Sequence, residues 1–153
     1  GFDETAAINV RVPPHNLHAE RALIGSWLLS AKARAHHVDP DDFYHPAGAL
    51  IATAIGELAD AGVPVDQLTV ADHLDRTGHL AACGGPANLA SLIADTPLTG
   101  HASRYAEIVR RDAHLRRLLR SATDLADAIY ALDDTATDHT HKALVELLEA
   151  GSP

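Results

Sequence analysis

Residues 104–132 hold neither proline nor glycine, and that uninterrupted run restricts what the chain can become more than any other stretch. Tyr105, Ile108, Asp112, Leu115, Leu119, Ala122, Ala126 and Ile129 follow one another at alternating steps of three and four, the spacing of a heptad seam on one helix. A second row, Leu115, Leu118, Ala122, Leu125, Ile129 and Leu132, lies beside it, so the apolar stripe is wider than one neighbour requires. At 1.5 Å per residue the helix extends roughly 40 Å, beyond the ~26 Å diameter implied for a 100-residue globule. Part of it is expected to project, and a projecting apolar face is ordinarily covered by another chain. Asp112 puts a charge into the seam. It either sets register or faces solvent where it pairs with Arg116 one turn on.

The remaining composition points the same way. Aromatic residues make up 4% of the 153-residue chain while alanine and leucine dominate the apolar set, a mixture that favours helix over sheet. The expected fold class is all-α, on the scale of one domain with an appendage. A net charge of −9 argues for solubility and against a general nucleic-acid surface. Cys83 is the single cysteine, so no disulfide framework or cysteine zinc site can form within one chain. The sequence has no membrane-length apolar run, and residues 1–12 lack the basic and hydrophobic regions of a signal peptide; the expected location is the cytoplasm.

Taken in order, residues 1–12 show no period and read as a flexible arm. Asn16 is a candidate N-cap for a first helix to about Ser30, with Leu17, Ala19, Ala22, Leu23, Trp27 and Leu28 inward. Residues 31–37 suggest a weaker turn or helix before the acidic corner Asp39-Pro40-Asp41-Asp42, and the pair Phe43-Tyr44 is expected in the core. Pro46 suits a first helical position and Gly62 a C′ residue. Thr69 and Asp72 have capping-box spacing for a short third helix ending near Gly78. Gly84-Gly85-Pro86 opens a fourth, with Leu89, Leu92 and Ile93 inward. Residues 133–138 read as an acidic turn, and Ala143, Leu144, Leu147 and Leu148 mark a last helix able to fold back antiparallel on the long one.

Catalytic signatures are missing. The sequence contains no Gly-x-x-x-x-Gly-Lys-Ser/Thr, no Gly-x-Ser-x-Gly and no His-Glu-x-x-His, so a P-loop ATPase, an α/β-hydrolase elbow and a helical zinc enzyme all lack their motif. His36, His37, Asp39, Asp41, Asp42 and His45 crowd ten residues, and Asp138, His139 and His141 form a second knot. Neither has two histidines at i, i+4, the pairing of helical zinc enzymes, and capping or solvated roles are expected in place of a metal site. No cofactor is expected. Arg110, Arg111, Arg116, Arg117 and Arg120 are the one positive concentration. Three readings stand for them: a salt-bridged flank, contact with an acidic partner, or contact with nucleic-acid phosphate, which the net charge opposes.

An ordered set of short motifs then carries a resemblance. Pro13-Pro14-His15-Asn16-Leu17-His18-Ala19-Glu20, Asp42-Phe43-Tyr44, Gly62-Val63-Pro64-Val65-Asp66, Leu74 to Gly78, Gly84-Gly85, Thr96-Pro97 and Tyr105-Ala106-Glu107-Ile108-Val109-Arg110 together resemble the N-terminal domain of the bacterial replicative helicase, the DnaB family. His18, Ala47, Ala49, Asn88 and His101 depart from that family's usual residues. The resemblance implies a non-catalytic module of three parts: an arm at 1–12, a globular helical subdomain at 13–100 and a helical hairpin for dimerisation at 101–150. It implies a homodimer, with rings of dimers in a full helicase, that docks a primase or helicase loader. The ATPase motor belongs to a separate domain in that family. The interaction candidates are Tyr105, Ile108, Val109, Leu115, Leu118, Leu119, Ala122, Leu125, Ile129, Leu144, Leu147 and Leu148, with the five arginines as candidate partner contacts. Nucleic-acid contact by this module is not expected. The competing readings are a motor-less adaptor of the same fold and a small metal-dependent hydrolase built on the cluster from His36 to His45.

Overall fold

The computed structural model describes residues 11–131 and 136–151. These form α1 (Leu17–Leu29), α2 (Pro46–Asp60), α3 (Gln67–Arg76), α4 (Gly85–Ala94), α5 (Ala102–Tyr130) and α6 (Ala136–Ala150), with single 3-10 turns at Ala33–Ala35, Pro40–Asp42 and Thr99–His101. Among the described residues there is no strand, as expected of an all-α chain. None of the described helices is long and apolar enough to cross a membrane. The chain divides into two compact units: His15–His114, and a second made of the residues up to 14 with those from 115 onward.

In the unit His15–His114 the central element is α1. Asn16 caps it, its side chain accepting from Ala19 N at 3.0 Å, and Ala19 through Leu28 are buried except for Arg21. A helix apolar nearly all round must be surrounded, and α2 and α4 both pack on α1. The approach to α4 is set by Gly25. A Cβ there would lie 1.8 Å from Thr96 Oγ1 and 2.4 Å from the Leu92 carbonyl oxygen, so the two backbones meet at a distance only glycine permits. Leu23, Ile24, Ile51, Leu74 and Leu89 fill the core around this contact. Ser26, fully buried, donates to Ala22 O at 2.7 Å, which removes the cost of an unpaired hydroxyl.

Several local expectations change. Leu17 is partly exposed because it stands at the first helical position, on the rim of a cleft. Only Phe43 of the aromatic pair enters the core, meeting Trp27 edge-on at 5.9 Å; Tyr44 lies outside, stacked on His15 at 4.2 Å. The third helix starts earlier than the Thr69 and Asp72 spacing suggested. Asp66 is its N-cap and Thr69 sits at N3, the carboxylate accepting Thr69 N and the hydroxyl accepting Asp66 N, a reciprocal pair that satisfies two helix-end donors. The fourth helix begins where Gly84 and Gly85 take positive φ, 84° and 71°.

In the other unit, the part of α5 from Leu115 onward pairs with α6. Ser121 Oγ donates to Glu146 Oε2, while His139 lies by Asp124, Asp127 and Ala128; partners that descend on one helix as they rise on the other make the pair antiparallel. Residues 133–135 of the expected acidic turn, Leu132 and the arm over residues 1–10 fall outside the described residues. Asp138 is already in the first turn of α6 and not in a connector.

Two glycine substitutions on neighbouring helices should move stability in opposite directions. Gly25→Ala is expected to lower the stability measured by urea unfolding, by about 1–3 kcal/mol at the scale of an overpacked core. Gly56→Ala should raise it by up to ~1 kcal/mol, since a Cβ at Gly56 meets nothing within 4 Å.

Candidate functional site

Neither apolar row of the long helix turns inward as a whole: the second gives only Leu118 and Leu125, joined by Ser121 and Ala128, which belong to neither row. Leu118, Ser121, Leu125 and Ala128 are half-buried or buried, and on α6 the half-buried residues are His139, Ala143 and Glu146. These are successive steps of three and four on each helix, the two sides of one seam. The leucines of α6 are not in it. Leu144, Leu147 and Leu148 stay exposed, Leu148 at 74%, and on α5 Leu115, Leu119, Ala122 and Ile129 stay exposed as well, Leu119 at 48%. The unit thus turns serine, histidine, glutamate and alanine inward beside Leu118 and Leu125, and leaves a leucine-rich stripe outside.

The other interaction candidates belong to the unit His15–His114. Val109 is buried in its core, and Tyr105 and Ile108 are half-buried against it. Asp112 is buried at 6% exposure and bonded to Arg111 at 3.1 Å, so the reading in which it faces solvent and pairs with Arg116 fails. Arg116 donates to Pro14 O at 2.9 Å. Arg110 sends Nε and Nη2 to His37 O at 3.1 and 2.9 Å, a two-pronged grip 73 residues away in sequence that nothing local announces. Arg117 and Arg120 are exposed.

The histidine and aspartate cluster is occupied with backbone. Asp39 accepts from Asp41 N at 3.0 Å, and His45 Nδ1 accepts from Ala47 N at 3.1 Å as the N-cap of α2. Among the described residues no three of His, Cys, Asp and Glu gather closely enough to hold a metal ion.

A cleft of about 460 Å³ opens beside α1, lined by Glu20, Arg21, His45, Cys83 and Asn88 over an apolar floor that includes Ile24 and Ile51. Glu20 is buried, and its Oε1 accepts from Tyr44 N at 2.6 Å and His45 N at 3.4 Å, fixing the entry to α2 from α1. Arg21 reaches the opposite way, to Asn88 Oδ1 at 3.3 Å, Ser91 Oγ at 2.9 Å and Asp95 Oδ2 at 2.9 Å on or just past α4. Asn88 Nδ2 donates to Cys83 O at 2.8 Å. Burial pushes the Cys83 thiol up from its ordinary range, which leaves it a packing residue more than a nucleophile. Sequence reasoning missed Glu20 and Arg21. The available signal was their place on a helix otherwise apolar on every side.

With this geometry in hand, the chain belongs to the family described as the DnaB-like helicase N terminal domain, whose pattern matches residues 12–111. It is 34% identical to the replicative DNA helicase DnaC of Bacillus subtilis (strain 168) over 148 residues, 95% of this chain and 33% of the relative. The crystal structure of the N-terminal domain of DnaB helicase from Mycobacterium tuberculosis superposes with a TM-score of 0.82 at 37% identity, over 90% of this chain and 99% of that one. A DnaB-like replicative helicase, solved in a study of its interactions with primase, shares the fold at a TM-score of 0.69 and 22% identity, over 88% of this chain and 31% of its own. The chain therefore spans about a third of the length of the curated relative it matches.

The link from α1 to α4 should be pH-dependent in a defined direction. Hydrogen bonds from Arg21 and then Ser91 hold the Asp95 carboxyl below its ordinary value of 3.8. A depressed folded-state pKa contributes stability in full above the unfolded value and loses it as pH falls through the folded one. The gap in urea midpoint between the native chain and Asp95→Asn is expected to be constant above about pH 5 and to close as pH drops below that ordinary value.

Proposed function

We propose that this chain is the N-terminal assembly domain of a replicative helicase. It is non-catalytic itself, works in the cytoplasm, self-associates through the exposed stripe of α5 and α6, and presents its surface to a primase or loader. The observation that carries the reading is the inversion of the helical pair. Two helices that only needed to hold each other would turn Leu144, Leu147 and Leu148 into their own seam, because burying each leucine is worth about 1.5–3 kcal/mol; the outward placement of these residues with Leu115, Leu119 and Ile129 supports a second surface laid against them. A second copy fits, since a two-fold dimer presents the same stripe to itself. Membership of the helicase family and similarity to a full-length replicative helicase support the role in replication. Primase comes forward as the docked partner because the DnaB-like helicase that shares this fold was solved in connection with its interactions with primase.

Leu119→Asp separates this reading from a monomeric one. The residue is half exposed within its own unit, so helicity measured by circular dichroism should stay close to that of the native chain. The mass by light scattering at high micromolar concentration should fall from dimer to monomer, because a carboxylate buried without a partner costs several kcal/mol. A native chain that is monomeric under those conditions, or a mutant of unchanged mass, would reject the stripe as the interface.

A further inference from the structure

The seam between α5 and α6 carries two costs at once. On α6, Leu144, Leu147 and Leu148 are each more than half exposed. His139 stands at an inward position of the same helix, and its Nδ1 is buried with no hydrogen-bond partner among the described residues. Apolar area left in water and a buried polar atom left unbonded both work against a fold. One polar tie offsets part of this, the hydrogen bond from Ser121 Oγ to Glu146 Oε2.

A single movement relieves both costs. With 3.6 residues per turn, the centre of the inward positions His139, Ala143 and Glu146 lies roughly a third of a turn around α6 from the centre of Leu144, Leu147 and Leu148. The levels along the pair match as well. Counted antiparallel from the bond between Ser121 and Glu146, Leu148 stands within about one residue of the level of Leu118, and Leu144 falls between Ser121 and Leu125. Leu118 and Leu125 already face the seam. A roll of α6 about its own axis, with no slide along it, therefore sets leucine against leucine and returns the imidazole and the carboxylate to water. It also withdraws the α6 leucines from the stripe they share with Leu115, Leu119 and Ile129.

The two seams suit different states. The seam of the structure leaves the stripe whole for a covering surface and forgoes leucine burial inside the pair. The rolled seam is the better one for a pair with nothing laid against it. Small shifts of packed helices at interfaces are a recurring way of switching between such arrangements.

We infer that α6 is a two-position element whose roll on α5 is coupled to self-association: a second copy on the stripe holds the seam of the structure, and dissociation lets α6 roll by roughly a third of a turn and bury its own leucines. The inference rests on the proposed self-association through that stripe. It adds that the chain regulates its own interface, because a dissociated copy hides the α6 part of the surface it would offer, and binding weakens by the fraction of copies that are rolled.

Thiol labelling reads the roll, since Cys83, the one native thiol, is buried. In the full chain at high micromolar concentration, Ala143→Cys is expected to react with a maleimide roughly tenfold more slowly than the same chain unfolded in urea. In the dissociated Leu119→Asp chain that protection should be lost, while Leu147→Cys in the same background reacts roughly tenfold more slowly than when unfolded and helicity by circular dichroism is unchanged. Ser121→Ala lies outside the stripe and removes a bond made only in the seam of the structure; it should raise the dimer dissociation constant roughly tenfold by sedimentation equilibrium. The inference is overturned if Ala143→Cys stays protected in the dissociated chain, if both cysteines react there at their unfolded rates, so that α6 detaches and does not roll, or if Ser121→Ala leaves the dissociation constant unchanged. A native chain that is monomeric at high micromolar concentration overturns the self-association reading, and with it the coupling; the roll itself then stands if Leu147→Cys is the protected position in that monomer and falls if Ala143→Cys is.

Discussion

The close crossing of α1 and α4 at Gly25 is the constraint on which the unit His15–His114 depends. With a Cβ excluded by the Leu92 carbonyl, α1 lies deep enough for the side chains from Ala19 to Leu28, Arg21 apart, to be buried. Its two charged residues then become ties. Glu20 holds the main chain that enters α2, and Arg21 holds Asn88, Ser91 and Asp95 on or beside α4. The buried Glu20 carboxyl is met by two backbone N–H groups, and that pairing holds the main chain where α2 begins.

The pair α5 and α6 follows a different logic. Its inner seam is made of small and polar residues, Ser121, Ala128, His139, Ala143 and Glu146, with Leu118 and Leu125. Such a seam holds two helices together but buries little apolar area, so the pair is marginal as a unit by itself. The leucines left outside would be a liability on a solitary monomer, and they fit an element completed by association.

Cap chemistry was legible in the linear sequence. Asn16, Pro46 and Gly62 each perform a role set by their own backbone geometry, and each marks its helix end where expected. The start of α3 was misread by one turn because Thr69 carries the same hydroxyl at N3 as it would at an N-cap; only the partner atom, Asp66 N, separates the two uses. Arg110 on His37 O and Asn88 on Cys83 O were beyond reach for another reason: each joins groups that no periodicity relates. The ordered motifs from Pro13 to Arg110 were still enough to place the chain in its family.

Helix type, most helix ends and the all-α class were therefore decided locally, since propensity, capping and the spacing of apolar residues act over a few residues at a time. Which residues of α5 turn inward, why α6 hides a histidine and a glutamate while exposing three leucines, and how Asp112 comes to be buried beside Arg111 were decided only by tertiary packing. The reason is that a helix with apolar residues on neighbouring faces has no inside of its own: the burial of each face is a property of whatever surface lies against it.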